Sequence, residues 1–132
     1  MFEVLMPVDD SEARGAAQAG AVTAFPDSES VRATLLHVFG DTDRSRETSP
    51  RQVPGGRAAY EQLTAAGVAV EQETRAGEPA TEILAAAAER DVDHVVMGGR
   101  KRSPARSLLF GSVTQTVLLE ADRPVSVTGS AD

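Results

Sequence analysis

Apolar and polar positions alternate in blocks along the chain, and each block predicts one strand or one helix. Short apolar runs at 2–8, 33–39 and 92–97 predict buried strands. The segment 68–74 alternates between apolar and polar residues, which predicts a strand with one solvated face at the edge of a sheet. A short apolar stretch at 125–127 predicts a final strand, so the pattern contains five strands in all.

Helical spacing lies between these strands. A weak stripe of small residues predicts a first helix that ends near Phe25 and Pro26; its members are Ala13, Ala16, Ala17, Val22 and Ala24. A second helix is predicted over 57–66, where Gly67 stops it, and a third begins with Pro79 in its first turn. The polar segment 40–56 predicts a mobile loop, and 129–132 a frayed tail.

The last helix is predicted from a capping signal. Ser112 followed by Gln115 has the spacing of a capping box, with serine as the cap. Its predicted buried face consists of Val113, Val117, Leu118 and Ala121. Strands and helices that alternate in this way predict a single α/β domain over 1–132, with a parallel sheet covered on both faces.

Charge narrows the classes of function. The chain has 13 basic and 20 acidic residues, a net charge of −7, and Lys101 is its only lysine. An acidic surface with so little lysine favours adaptation to a salt-rich cytosol, where salt screens self-repulsion. The alternative is an ordinary acidic protein from a GC-rich genome. Either interpretation argues against general binding to nucleic acid or anionic membranes.

Several kinds of site are not indicated. The chain has no cysteine, which excludes thiolate zinc ligands and a cysteine nucleophile. His37 and His94 are predicted to be structural, because neither has metal-ligating company, and no metal site is expected. The acidic N-terminal segment without a basic start predicts a cytoplasmic location. No nucleophile–base pair is placed for catalysis, so the chain is expected to be at most a weak ATPase.

Candidate ligand-binding residues follow two of the predicted strands. In an open parallel sheet, ligands bind beyond the carboxyl ends of the strands, where the strand order reverses. Pro7-Val8-Asp9 ends the first strand, and Gly98-Gly99 ends the fourth. Gly111-Ser112 then starts a helix whose free N–H groups favour an anion. The loop between them is basic, with Arg100, Lys101, Arg102 and Arg106.

Each of these features also has a purely structural interpretation. Gly98-Gly99 is compatible with a tight turn, and Ser112 with a helix cap that touches no ligand. Asp9 is compatible with a capping role at the first helix. The basic run is compatible with a solvated loop. The sequence leaves these alternatives open.

The order and spacing of these residues resemble a known family. Gly98 is followed by two residues, Lys101, nine residues, Gly111 and Ser112. This resembles the universal stress protein motif, which has glycine where Lys101 stands. The opening Met-Pro-Val-Asp-Asp-Ser, the Leu-Leu-His-Val of the second strand and the closing Asp-Arg-Pro-Val-Ser-Val also resemble that family. The resemblance spans the chain, and the acidic, lysine-poor composition favours a halophilic archaeon-like source.

The resemblance implies a fold and a ligand. The fold would be a Rossmann-like α/β/α sandwich with five parallel strands in the order 3-2-1-4-5, dimerising through its last strand. The ligand would be ATP or another adenine nucleotide such as AMP, with or without Mg²⁺. The residues implied as contacts are Pro7, Val8, Asp9, Val38, Met97, Gly98, Gly111, Ser112 and Val113, with Arg100 and Lys101 reaching the phosphates.

Lys101 divides two hypotheses about function. In the first, lysine reaches the phosphates as a point charge, and the protein is a dimeric, ligand-dependent stress regulator that a protein partner recognises. In the second, lysine replaces a glycine with positive φ, remodels the loop and abolishes nucleotide binding. The chain would then be an interaction module of the same fold.

Overall fold

Strands and helices alternate along the chain in the computed structural model, which describes residues 1–40, 48–102, 107–109 and 111–129. The strands are β1 (Phe2–Pro7), β2 (Val31–Phe39), β3 (Ala69–Ala76), β4 (His94–Gly98), β5 (Arg100–Arg102), β6 (Ser107–Leu109) and β7 (Val125–Thr128). The helices are α1 (Glu12–Thr23), α2 (Pro54–Ala65), α3 (Pro79–Glu89) and α4 (Ser112–Glu120).

Five of the strands form one parallel sheet in the order β3-β2-β1-β4-β7. This is the predicted 3-2-1-4-5 order, with β7 as the fifth strand. Because β1 pairs with both β2 and β4, the order reverses at β1, which makes its carboxyl end the expected place for a ligand. The strand predicted at 68–74 is β3, at the edge of the sheet as expected.

A small hairpin follows β4, which the sequence did not predict. Strands β5 and β6 pair antiparallel, and Lys101 lies opposite Leu108. A strand has an extended backbone, so the lysine is not held in the left-handed conformation that would favour glycine. Residues 103–106, and with them Arg106, lie outside the described part of the chain, as do the side chains of Arg100 and Lys101.

The sheet buries apolar side chains on both faces, as the alternation of strand positions requires. Val4 and Met6 of β1 belong to the cluster beneath α1 and α2. Leu5, between them, belongs to the cluster beneath α3 and α4. The predicted three-layer arrangement of helix, sheet and helix is therefore the observed one.

Helix α2 begins earlier than predicted. It starts at Pro54 and ends at Ala65, whereas the sequence predicted 57–66 with a loop up to 56. Gly55 and Gly56 are buried against other backbone segments. A Cβ on Gly55 would clash with the carbonyl oxygens of Asp9 and Ser11, and a Cβ on Gly56 would clash with that of Pro50, so only glycine fits at these positions. Residues 41–47 of the predicted loop lie outside the described ranges.

The predicted stripe of α1 was largely wrong. Its buried residues are Gly15, Gln18, Ala19 and Val22, of which only Val22 was predicted. A helix composed mainly of alanine and glycine gives a weak periodic signal, and a buried glutamine contradicts the usual pattern. In α4, Leu118 is also exposed rather than buried, together with its neighbour Leu119.

Candidate functional site

A cleft of about 260 Å³ opens at the carboxyl ends of β1, β2 and β4. The structure brings seven of the residues predicted from sequence to its lining: Pro7, Val8, Asp9, Val38, Met97, Gly98 and Val113. These residues come from four separate parts of the chain. They meet because parallel strands end on the same side of the sheet.

Two predicted residues lie beside this cleft rather than in its lining. Gly111 and Ser112 stand at the start of α4, immediately before Val113 and Thr114, which line the cleft. The predicted capping role of Ser112 was wrong. Gly111 is the cap, because its carbonyl accepts the first helical hydrogen bond from the Gln115 N–H at 3.0 Å. Ser112 is the first residue within the helix.

First-turn residues of three helices line the cleft: Arg14 of α1, Pro79 of α3 and Val113 of α4. The amino ends of α1 and α3 are capped by side chains, with Ser11 accepting from the Arg14 N–H and Glu78 from the Thr81 N–H. Helix α4 has no side-chain cap among the described residues. Its first N–H groups therefore favour an anion at this edge of the cleft.

Asp9 is held by its own turn. One carboxylate oxygen accepts from the Ser11 N–H at 2.9 Å, and the other is 3.2 Å from both Nε and Nη2 of Arg14. The Asp9 carbonyl accepts from the Gly55 N–H at 2.9 Å, which links the turn to α2. Asp9 therefore has a fixed position, although its side chain is 55% exposed.

Sequence reasoning missed two polar residues of α1 that line the cleft, Arg14 and Gln18. The amide nitrogen of Gln18 donates to the carbonyl of Pro7 at 2.6 Å and to that of Val96 at 3.0 Å. Gln18 thereby ties the ends of β1 and β4 together. The sequence contained a signal for this pair, because the polar residues at positions 11, 14 and 18 have the spacing of one helical face.

The remaining lining residues that the sequence did not predict are Leu36, Pro79, Ile83 and Thr114. Together with Val38, Met97 and Val113 they make the walls of the cleft mainly apolar. Apolar walls with a few fixed polar groups suit a flat organic ring, and the start of α4 suits an anionic group. Within the described ranges, no group of three acidic or histidine side chains is arranged to hold a metal ion.

The opposite end of the sheet has a second hollow of about 380 Å³, lined mainly by apolar residues such as Phe2 and Phe25. His94 begins β4 there, as predicted, with its ring centroid 5.5 Å from that of Phe25. Its Nε2 is 2.7 Å from the hydroxyl of Ser126, and burial lowers the pKa of the imidazole. His37 lies in β2, where Nδ1 is 2.9 Å from the Thr48 carbonyl.

Across the described ranges, no helix has the length and apolar character that crossing a bilayer requires.

Comparisons with known proteins agree with this fold. The model of the universal stress protein family matches residues 1–129. A universal stress protein from Archaeoglobus fulgidus has 24% identity and a TM-score of 0.77, covering 97% of this chain and 98% of its own. No curated protein matches the sequence significantly.

Nucleotides are present in several similar structures, among them the following two. One is a universal stress protein from Archaeoglobus fulgidus in complex with dAMP, with 20% identity and a TM-score of 0.71, covering 97% of this chain and 98% of its own. The other is a family protein from Arabidopsis thaliana with AMP bound, with 16% identity and a TM-score of 0.70, covering 98% of this chain and 92% of its own. At these identities, the likeness shows a shared fold.

Proposed function

The chain belongs to the universal stress protein family, and from that premise we propose that it binds an adenine nucleotide in the carboxyl-end cleft. The nucleotide would be AMP or ATP, with or without Mg²⁺. The protein would act in the cytoplasm as a dimeric stress regulator whose state a protein partner recognises. No turnover is needed for such a role.

The observation that carries the proposal is the start of α4 beside the cleft. Its first N–H groups have no side-chain cap in the described structure, in contrast to those of α1 and α3. A phosphate at that position would satisfy them. The apolar walls formed by Val38 and Met97 would hold the adenine ring. Family structures with dAMP and AMP support the same class of ligand.

A thermal-shift experiment tests the binding. AMP or ATP with Mg²⁺ at millimolar concentration, in the salt at which the protein is most stable, is expected to raise its Tm, because the ligand binds only the folded state. Gly111→Asp should abolish the shift, since a carboxylate would stand where the phosphate approaches α4. Ser30→Asp is the matched control, because it adds the same charge to an exposed position at the other end of the sheet. If neither nucleotide shifts the Tm of the wild type, the proposal is wrong.

Lys101 is the basis of the rival hypothesis, in which the protein is an interaction module that binds no nucleotide. Its strand backbone removes the argument from left-handed strain, but a lysine side chain is large enough to fill a phosphate position. Lys101→Gly separates the two hypotheses. If lysine contacts the phosphates, the glycine variant binds ATP more weakly; if lysine obstructs them, the variant gains an ATP-dependent Tm shift that the wild type lacks.

Dimerisation through β7 is the second part of the proposal. Strand β7 is at the edge of the sheet, and β4 is its one partner among the described strands. The carbonyls of Pro124 and Thr128 accept from Val95 and Gly99 of the β4 side. Because backbone groups alternate along a strand, the N–H groups of Val125 and Val127 point away from β4 and are available to a second copy.

Val127→Pro tests this interface, since proline removes an outward donor and leaves the ladder to β4 intact. We expect sedimentation velocity to show a dimer for the wild type and a monomer for the variant. Val127→Thr is the control, because it keeps the donor and the β-branched shape. A monomeric wild type would contradict the dimer and leave the nucleotide proposal standing.

A weak ATPase activity is measured in the same preparation. Asp9 is the candidate base, but its carboxylate is engaged by Ser11 and Arg14. We therefore expect phosphate release from ATP to be no faster for the wild type than for Gly111→Asp. Faster release by the wild type would assign a catalytic role to this cleft.

A further inference from the structure

Gln18 is almost fully buried, with 2% of its surface exposed, and yet it lines the cleft. Its amide nitrogen donates to the carbonyls of Pro7 and Val96. Two acceptors around one atom identify that atom as the nitrogen, which settles the orientation of the amide. The amide oxygen is therefore on the side of the group that faces away from both carbonyls.

The position of this oxygen is marked by Gly98. A Cβ on Gly98 would lie 3.3 Å from Oε1 of Gln18, so the oxygen lies close to the backbone at the end of β4. Within the described residues, every fully enclosed polar side-chain atom has a hydrogen-bond partner. Oε1 has no partner among those residues, and it is therefore an atom that can be reached from the cleft.

An amide oxygen restricts the ligand more than a hydroxyl does. Thr114 is the other buried polar residue of the described lining, and its hydroxyl can both donate and accept. The oxygen of Gln18 only accepts, and it repels the oxygens of a phosphate. It therefore needs an O–H or N–H group of the ligand.

We propose that Gln18 makes the cleft selective for nucleotides that present an uncharged hydrogen-bond donor to Oε1. This inference rests on the proposed function and concerns which ligands fit the same cleft. The donor would be a sugar hydroxyl or the exocyclic amine of adenine. A bound nucleotide excludes water from Oε1, so one that lacks the donor leaves a buried acceptor unsatisfied and binds more weakly. The bonds to Pro7 and Val96 hold the acceptor in place before the ligand arrives.

Isothermal titration calorimetry on the full chain tests the selectivity with four nucleotides. They are AMP, 2′-deoxy-AMP, 3′-deoxy-AMP and purine riboside monophosphate, which lacks the exocyclic amine. We expect at least one analogue to bind the wild type about 10- to 100-fold more weakly than AMP, the cost of an unsatisfied buried acceptor. The analogue that loses affinity shows whether a hydroxyl or the amine is the donor.

Two substitutions of Gln18 isolate the acceptor. Gln18→Met removes it, so AMP and the weak analogue should bind this variant equally. Gln18→Glu should retain the preference, because a carboxyl group offers an acceptor oxygen in either protonation state. Both substitutions disturb the bonds to Pro7 and Val96, so their comparison separates the acceptor from this structural role. Gln62→Met, exposed on α2 and outside the lining, is the control and should retain the wild-type preference.

Three results would overturn the inference and leave the proposed function standing. The wild type binds all four nucleotides equally; or its preference persists in Gln18→Met, so that another group contacts the donor; or Gln18→Met and Gln18→Glu lose the preference alike, which would leave Gln18 a structural role only. If the wild type binds none of the nucleotides, the proposed function is wrong as well. Gln18→Leu, which also lacks an acceptor, replaces Gln18→Met if circular dichroism shows that the latter does not fold.

Discussion

The two ends of the sheet differ in chemistry more than in size. The hollow at the amino end, of about 380 Å³, is lined mainly by apolar side chains such as Met1 and Phe25. The cleft at the carboxyl end combines apolar walls with the Asp9–Arg14 ion pair and the start of α4. Fixed polar groups, and not volume, therefore distinguish the candidate ligand site.

The difference follows from the direction of parallel strands. Every helix that follows a strand begins at the carboxyl end of the sheet, so positive helix ends collect there and negative ends collect opposite. At the amino end, the aromatic rings of Phe2 and His94 each pack against that of Phe25. The following variants are designed to break this distinction, beginning with the largest expected effect.

Filling each hollow in turn gives the largest contrast. Val38→Trp places a large ring inside the carboxyl-end cleft, and we expect it to weaken AMP binding by on the order of 100-fold. Ser30→Trp fills the amino-end hollow in the same way and should leave the affinity unchanged. Calorimetric titration of both variants measures this. Equal weakening by the two would remove the functional distinction between the ends.

The second largest effect is expected where Gly15 of α1 packs against the backbone of Gly55 in α2. A Cβ on Gly15 would overlap the Gly55 carbonyl, so Gly15→Ala must push α2 away from the turn that carries Asp9. We expect a loss of about 1–3 kcal/mol in the free energy of unfolding, measured by urea denaturation. Gly20→Ala in the same helix meets only Gln62 Nε2 at 3.6 Å. It should gain up to about 1 kcal/mol from helix propensity. Similar values for the two would show that close approach of the backbones is unimportant.

Gln18→Met tests the tie between the ends of β1 and β4. The substitution keeps the volume but removes both donated hydrogen bonds, to Pro7 and to Val96. We expect a loss of about 1–2 kcal/mol in stability, together with weaker AMP binding. Gln62→Met on α2 is the matched control, with no such bonds to lose in the described structure. Unchanged stability in Gln18→Met would mean that the tie contributes nothing.

His94 gives the smallest effect, confined to the amino end. Burial lowers the pKa of this imidazole, so the unfolded chain binds a proton more readily than the folded one. Its contribution to stability is therefore complete above about pH 6.5, the unfolded value, and is lost as the pH falls toward the lower folded value. In His94→Gln, urea denaturation at several pH values should show a shallower decline across this window, with AMP affinity unchanged at pH 8. An identical decline in both proteins would contradict the assignment.

The sequence predicted the strands from strong, local signals, whereas the sheet order and several residues of the cleft followed from the resemblance to the universal stress protein family. Apolar runs marked the strands, and Pro7, Asp9 and Gly98 lie at strand ends where the fold brings them together. It did not predict the early start of α2 or the hairpin at Lys101. Gly55 and Gly56 resemble loop residues until their contacts with distant carbonyls are known. Gln18 was missed because its burial depends on two carbonyls from other elements.

The location of the nucleotide is the central claim, and an NMR titration tests it most directly. With AMP added to the ¹⁵N-labelled protein, we expect amide shifts at Val8, Asp9, Val38, Gly98 and Val113 that follow a single binding curve. The amides of Phe2, Phe25 and Val31, at the amino end, should stay in place. Saturable shifts at the amino end, or no shifts at millimolar AMP, would contradict the account.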